Sequence, residues 1–314
     1  MASHMFITGE WGSVTMKLDL CRNGAGGVEV IETRTGAGIL SCPDPEAAFF
    51  ATTEGWFDQH GALPVILAGM VGSNIGWRDS GYVACPADAA KVAAASTTIV
   101  ARGISIHFSP GLKCTNIFGQ PDVVRGEEMQ VFGWLARQND DLRRLICLPG
   151  RHTKWLITEG RNVMSFFTGM TGELEDLLLT HGLLGKGVAR DSVAPDTFTA
   201  GLDLIAGDPT LSMGHALFAT RSRLVLGNHA ATEAASFLKG LMIGADVRDS
   251  VQAHAERGLL PTQVDVLGHG ATTELYLGAF ARLAAPARAI DTCDLAVDGL
   301  ATVLGAARQI PCPE

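Results

Sequence analysis

The sequence lacks paired cysteines, a basic stripe and a long apolar run, and each absence removes a class of function. Its seven cysteines (Cys21, Cys42, Cys85, Cys114, Cys147, Cys293, Cys312) occur singly, with no CxxC pair and no Cys/His ligand spacing. A structural zinc site and a disulfide framework are therefore not expected. An odd cysteine count without a secretion signal reads as a reduced, cytoplasmic protein. Positive charge is scarce: 24 Lys and Arg stand against 33 Asp and Glu, a net charge of −9, which argues against nucleic acid or an anionic membrane as partner. Apolar runs are broken by glycine, proline or arginine before reaching the ~20 residues that a membrane-spanning helix needs. Residues 1–5, MASHM, read as a cloning remnant and are set aside.

What the chain does have is length for two domains, with 47% hydrophobic and 18% charged residues among 314, and glycine turns between β-rich runs. The stretch 145–173, LICLPGRHTKWLITEGRNVMSFFTGMTGE, reads as strand, Pro149-Gly150 turn, strand, hairpin turn at 159–162, strand. The first of these turns gathers Gly150, Arg151, His152, Thr153 and Lys154. Backbone N–H groups, a hydroxyl and cations converge there, which suits an anion such as phosphate. The pattern recurs near the N-terminus, where residues 6–8 enter Gly9-Glu10-Trp11-Gly12-Ser13, followed by a strand at 14–20, a turn at 22–27 and a strand at 28–32. Placing Gly12 on Gly150 pairs Ser13 with Arg151 and Thr15 with Thr153, about 140 residues apart, the mark of duplicated halves. Two such turns facing one cleft can hold one polyphosphate; two unrelated hairpins are the competing reading.

Along the rest of the chain, residues 44–60 read as one amphipathic helix with Asp44 as cap and Pro45 in its first turn. Residues 63–68 read as a buried parallel strand leading into Gly69 to Trp77, GMVGSNIGW, either a ligand loop at a strand's carboxyl end or a structural turn. A helix at 87–95 and a strand at 104–108 precede 122–133, where Arg125, Glu127 and Glu128 gather at a helix start. Carboxylates there can also serve only to stabilise the helix N-terminus. The domain boundary falls at the polar 139–141 segment, giving domains 6–143 and 144–314.

In the second domain Thr171 is the expected cap of a helix at 174–184, 185–193 is a loop, and further helices follow at 198–205, 211–226 and 230–251. The last carries Gly240 and Gly244, a small-residue face open to helix packing or to a flat ring. A strand at 264–267 enters Gly268-His269-Gly270-Ala271-Thr272-Thr273, a turn ahead of a helix at 274–284 that can sit against a nucleotide yet lacks the third glycine of a Rossmann fingerprint. A terminal helix spans 291–310.

Together these residues resemble the 2-dehydro-3-deoxygalactonokinase family, within the superfamily of actin, Hsp70 and hexokinase-type ATPases. The motifs run in order over nearly the whole chain: EWGS at Glu10, GMVGSNIGW at Gly69, CPA at Cys85, PGL at Pro110, VVRGEEMQ at Val123, LPGRHTKW at Leu148, FFTGMTGE at Phe166, FLKGLMIGA at Phe237 and LGHGATTELY at Leu267. The resemblance implies an α/β fold of two ribonuclease-H-like (actin-like ATPase) domains with an interdomain nucleotide cleft, the terminal helix returning to the first domain. It implies phosphorylation of the 6-hydroxyl of 2-dehydro-3-deoxygalactonate in galactonate catabolism, with ATP and Mg²⁺. A sugar acid and ATP are then the partners, and a homodimer is left open.

By the same resemblance Glu10, Gly12 and Ser13 form the first phosphate loop, with Glu10 acting on Mg²⁺ through water. Gly150, Arg151, His152, Thr153 and Lys154 form the second, and Gly240, Gly244, Gly268 and Gly270 border the adenosine. Glu127 is the favoured base with Glu128 close behind, and Arg125 orients it or pairs with the substrate carboxylate. Gly72, Ser73 and Trp77 form the sugar-acid pocket, with Thr171 and Glu173 also on the substrate side. The chain departs from the family pattern at Glu10, where aspartate is usual, and at Arg151, where the loop usually reads GTHSK. Three alternatives follow: a kinase for an epimeric acid such as the gluconate-derived one, an inactive nucleotide-binding sensor, and a hydrolase with water as acceptor.

Overall fold

Short apolar runs punctuated by glycine become short strands, and in the computed structural model, which describes residues 5–24, 26–189, 193–228 and 230–308, they do so twice in the same order. The chain begins β1 (Met5–Trp11), β2 (Thr15–Gly24), β3 (Gly27–Ala37), α1 (Pro45–Thr52), α2 (Trp56–His60), β4 (Val65–Ala68) and β5 (Tyr82–Ala84). It continues α3 (Ala89–Ala94), β6 (Thr97–Ala101), β7 (Ile104–Phe108), β8 (Gly111–Thr115), β9 (Pro121–Val124) and α4 (Glu128–Ala136). Then come β10 (Arg143–Leu148), β11 (Thr153–Glu159), β12 (Asn162–Gly169), α5 (Thr171–Thr180), α6 (Pro195–Gly207), α7 (Met213–Ala216) and α8 (Phe218–Val225). The last elements are α9 (Ala234–Glu256), β13 (Val264–Leu267), α10 (Ala271–Arg282), β14 (Ala287–Ile290) and α11 (Leu295–Ala307). Two units result, one of Met1–Leu142, Thr158–Phe166 and Thr292–Glu314, the other of Arg143–Ile157 and Phe167–Asp291.

The first unit is built on a sheet in the order β3-β2-β1-β4-β7-β6. Strand β1 lies antiparallel to β2 and parallel to β4, which is in turn parallel to β7. Ile7, Val65, Leu67, Ile106 and Phe108 are shut off from solvent and pack with Trp11, Leu18, Phe49 and Trp56 as one core. A small sheet, β5-β8-β9, carries the chain into α4. Helix α11 returns to pack on α4 through Gly133 and Gly299: a Cβ on Gly133 would strike the Leu295 carbonyl, and one on Gly299 the Met129 carbonyl. Filling such a contact typically costs ~1–3 kcal/mol.

The second unit repeats the plan. Its sheet runs β12-β11-β10-β13-β14, with β10 parallel to β13 and β13 parallel to β14. Strand β11 begins at Thr153 as β2 begins at Thr15, the correspondence that the two glycine turns predict. Here too a glycine pair brings helices together, Gly201 of α6 against Gly240 of α9.

Several elements differ from the sequence reading. The helix expected over 44–60 is two, because Gly55 adopts φ 83 between them; Asp44 does cap the first, accepting from the Ala47 amide at 3.0 Å. Helix 211–226 is likewise divided into α7 and α8 at Leu217. Thr171 does not cap α5: its hydroxyl donates to Asp246, and Met170 precedes the helix without a side-chain bond. Strands β5, β6, β8, β9 and β14 are additions to the sequence reading, since three to five residues of mixed polarity leave no clear alternation. The terminal helix starts at Leu295 after Asp294 in a left-handed conformation, φ 63, and residues 309–310 of its expected span lie outside the described residues.

Candidate active site

In the first unit the carboxyl ends of the parallel strands converge on turns that only glycine permits. Glu10 lies at the end of β1, in register with Ala68 at the end of β4 and with Lys17 across on β2. Gly69 follows with φ 96, where a Cβ would stand 2.8 Å from the Trp11 carbonyl oxygen. Gly126, φ 108, approaches in turn, its would-be Cβ 3.3 Å from Gly69 Cα. Glu10, the 69–77 loop and the start of α4 are thereby held together at the end of the sheet where open α/β folds bind ligands.

Arg125 binds this loop. Its guanidinium donates to the Gly72 carbonyl, to Ser80 Oγ at 3.1 Å and to the Gly81 carbonyl at 2.8 Å, and it stacks on the Tyr82 ring at 4.3 Å. Its donors are therefore engaged with the loop rather than with Glu127. Ser73 Oγ donates to the Met70 carbonyl at 2.7 Å. Trp77 packs on the core, with ring centroids 5.7 Å from Phe49 and 5.5 Å from Phe108. At the first glycine turn, the Gly12 amide bonds the Thr15 carbonyl at 2.9 Å, and the Leu40 amide covers the Ser13 carbonyl at 3.1 Å.

The acidic residues of this unit are not alike. Burial raises the Glu10 carboxyl, Lys17 opposes that, and the charges of Asp19 and Glu127 reinforce it. Lys17 itself bonds Asp19 at 3.0 Å. It is a cation beside Glu10 that the sequence reading passed over, legible as the facing residue once the hairpin register is known. Glu127 is partly exposed at the head of α4. Glu128, its neighbour, is fully buried, and neither carboxyl oxygen has a hydrogen-bond partner. Burial, then the charge of Glu127, pushes Glu128 up to about 8, against the pull of the Glu128 and Gly126 amides and of Arg125, none of which completes a bond.

In the second unit the Gly150 turn rests against the start of α5. A Cβ on Gly172 would lie 2.9 Å from Arg151 Cα, and the Glu173 amide donates to the Arg151 carbonyl at 3.0 Å. Glu173 holds His152 in a close bond and lies 3.6 Å from Arg151 Nε, while Asp176 lies 3.4 Å from Arg151 Nη1. The His152 bond, helped by the charges of His152 and Arg151, keeps the Glu173 carboxyl below its ordinary value despite some desolvation. Glu173 thus faces the cations of the turn. Lys154 is buried and donates to Thr168 Oγ1 at 3.0 Å.

The four glycines expected beside adenosine divide into two kinds. Gly240 and Gly244 are buried in α9 against α6, the first against the Phe198 carbonyl and the second 3.1 Å from Leu202 Cδ2; what they face is a helix. Gly268 and Gly270 lie at the β13–α10 turn, Gly270 with φ 73. Next to that turn a cavity of about 640 Å³ opens among Phe198, Leu202, Ala271, Glu274, Leu275 and Arg282. Asp246 of α9, ringed by hydroxyl and indole donors, is the other residue the sequence reading missed. Its signal is an acid directly after the FLKGLMIGA run, in the middle of the helix. Among the described residues no group of three or more His, Cys, Asp or Glu side chains is placed to hold a metal ion, and no helix is long and apolar enough to cross a membrane.

Comparison with known proteins agrees with this architecture. The model of the 2-keto-3-deoxy-galactonokinase family matches residues 10–303. The 2-dehydro-3-deoxygalactonokinase of Escherichia coli (strain K12) is 34% identical over 242 residues, covering 77% of this chain and 79% of its own. A Rhizobium meliloti (strain 1021) protein to which the same activity is provisionally ascribed is 30% identical over 311 residues, 96% of each chain. A crystal structure of a Sinorhizobium meliloti protein provisionally named for that kinase superposes with TM-score 0.81 at 30% identity, covering 97% of this chain and 98% of its own. The activator of 2-hydroxyisocaproyl-CoA dehydratase from Clostridium difficile shares the fold alone, at TM-score 0.51 and 10% identity over 99% of each chain. With its family model matched from Glu10 almost to the end of α11, the chain belongs to the 2-keto-3-deoxy-galactonokinase family.

Proposed function

We propose that the chain transfers the terminal phosphoryl group of ATP to the 6-hydroxyl of 2-dehydro-3-deoxygalactonate, the first unit supplying the acceptor side and the second the nucleotide side. The observation that carries the reading is the gathering of Glu10, Glu127 and the Arg125-clamped 69–77 loop at the carboxyl ends of β1 and β4. Phosphoryl transfer is mainly positioning and charge stabilisation, with one group to accept the hydroxyl proton. Glu127, partly exposed, is that base; Glu128, sealed from solvent, is not. Arg125 acts on the acceptor side by fixing the loop whose Gly72-Ser73 backbone and Trp77 edge border the sugar acid. On the nucleotide side the amides of the 150–153 turn receive the phosphates, with Arg151 and His152 held on its flank by Glu173. The purine occupies the largely apolar cavity beside Gly270.

Mg²⁺ fits this donor set. It takes one or two carboxylates together with substrate phosphates and water, and Glu10 is a carboxyl raised by burial and by neighbouring negative charge, a place that a cation relieves. When bound, the ion supplies neutralisation of the phosphate oxygens.

A coupled ADP-release assay over 2-keto-3-deoxy sugar acids tests the assignment. Stimulation by the galactonate-derived acid above its gluconate epimer is expected. ADP release unmoved by every acid overturns it, and ATP binding without turnover would then mark a nucleotide sensor.

A further inference from the structure

The hydroxyl groups behind the second glycine turn form a chain whose direction is set by the carboxyl group at its end. Asp246 Oδ2 accepts from the Tyr276 hydroxyl at 2.7 Å and from Thr171 Oγ1 at 2.7 Å. Its Oδ1 accepts from Trp155 Nε1 at 3.0 Å and, more loosely, from Ser250 Oγ at 3.4 Å. An ionised carboxylate only accepts, so it satisfies all four donors at once, and with Asp246 ionised the direction of the chain is set. Tyr276 therefore commits its single proton to Asp246. Its oxygen must then accept from Thr153 Oγ1, 2.7 Å away, and the Thr153 proton is committed in turn.

Burial pushes the Asp246 carboxyl up while its donors pull it down, and burial holds the Tyr276 phenol well above its ordinary value, so Tyr276 remains a donor. Thr153 and Tyr276 are both buried. Thr153 is the first residue of β11, directly after the turn, and Thr171 is the first residue of α5, two before the Glu173 that grips His152. One carboxylate on α9 thus ties together the Thr153 end of the turn that the proposed function assigns to the nucleotide phosphates and the start of the helix that the turn rests against.

We infer that Asp246 and Tyr276 are positioning residues for nucleotide binding: the one-way chain Thr153 to Tyr276 to Asp246 anchors the phosphate-facing turn and leaves its backbone amides, not the Thr153 hydroxyl, to meet the phosphates. This rests on the nucleotide side of the function proposed above.

The test is calorimetric titration of the full chain with ATP and Mg²⁺, joined to steady-state kinetics. Tyr276→Phe and Thr153→Val are each expected to raise the ATP Kd about five- to tenfold, ~1–1.4 kcal/mol, with the sugar-acid KM unchanged. The double variant should be no weaker than the worse single one, because both remove the same link. Thr153→Ser, which keeps the hydroxyl, should restore wild-type affinity. An unchanged ATP Kd in both single variants, multiplied effects in the double, equal rises in both substrates' KM, or a Thr153→Ser as weak as Thr153→Val would each overturn the inference. Calorimetry needs no sugar acid, so a failed substrate panel leaves this test readable, and a normal panel with unchanged Kd values removes the inference alone. Should Tyr276→Phe not fold by its melting profile, Thr153→Val against Thr153→Ser carries the test.

Discussion

Glu128 in the first unit and Asp246 in the second are both carboxyl groups enclosed by protein, and the chain treats them in opposite ways. Asp246 is met by four donors from three other elements and its own helix. Glu128 has no hydrogen-bond partner at either oxygen. Burying a carboxyl raises its pKa in both cases, but completed hydrogen bonds make the charged form tenable at one and no bond is completed at the other. The difference teaches that a buried acid is informative through its partners. A satisfied one organises its surroundings; an unsatisfied one beside a partly exposed acid marks the place where the protein tolerates cost.

The comparison is broken or sharpened most strongly at Glu127. As base, Glu127→Gln is expected to lower kcat by about 10²–10⁴-fold while ATP binding by calorimetry holds. A kcat within threefold of wild type would shift the role elsewhere, and a matching loss in Glu128→Gln alone would move it to Glu128. Next comes Asp246→Ala, which strands several buried donors at ~1–3 kcal/mol each. Its urea midpoint should fall by more than that of any single donor variant, and an unchanged midpoint would mean the network is not holding the unit together.

Glu128 should be visible in the pH dependence of stability. Its folded value, about 8, lies above its unfolded one. The stability it contributes is therefore fully present below the unfolded value near 4.5 and is lost as pH rises through about 8. Urea midpoints are expected to decline from pH 5 to pH 8 by the equivalent of a few kcal/mol, since each tenfold change in proton affinity is worth about 1.4 kcal/mol, and Glu128→Gln should flatten that decline. A variant with the wild-type slope would show that water reaches the carboxyl in the folded chain. The smallest effect is expected at Arg151, about half exposed and already paired with Glu173 and Asp176. Arg151→Thr should change the ATP KM by no more than about threefold; a tenfold rise would make Arg151 a phosphate clamp instead.

The backbone plan was legible. Two glycine turns flanked by β-rich runs announced two hairpins, and Thr15 and Thr153 do begin matching strands. The glycine loop after a short apolar run also fell where expected, because Gly69 and Gly126 need left-handed backbone that the sequence advertises. Side-chain destinations were not legible. Arg125 reaches a carbonyl 53 residues away and Thr153 a hydroxyl 123 residues away. Gly240, read as a face for a helix or a ring, meets α6, which no local pattern distinguishes.

What the sequence alone determined is where the chain turns and which residue types stand at each turn, since glycine conformations, strand alternation and motif order are local properties. Only the tertiary structure decided which of those residues are already engaged. Hydrogen-bond valence is finite, and whether Arg125, Thr153 or Lys154 has a donor left depends on partners brought near by folding rather than by the chain.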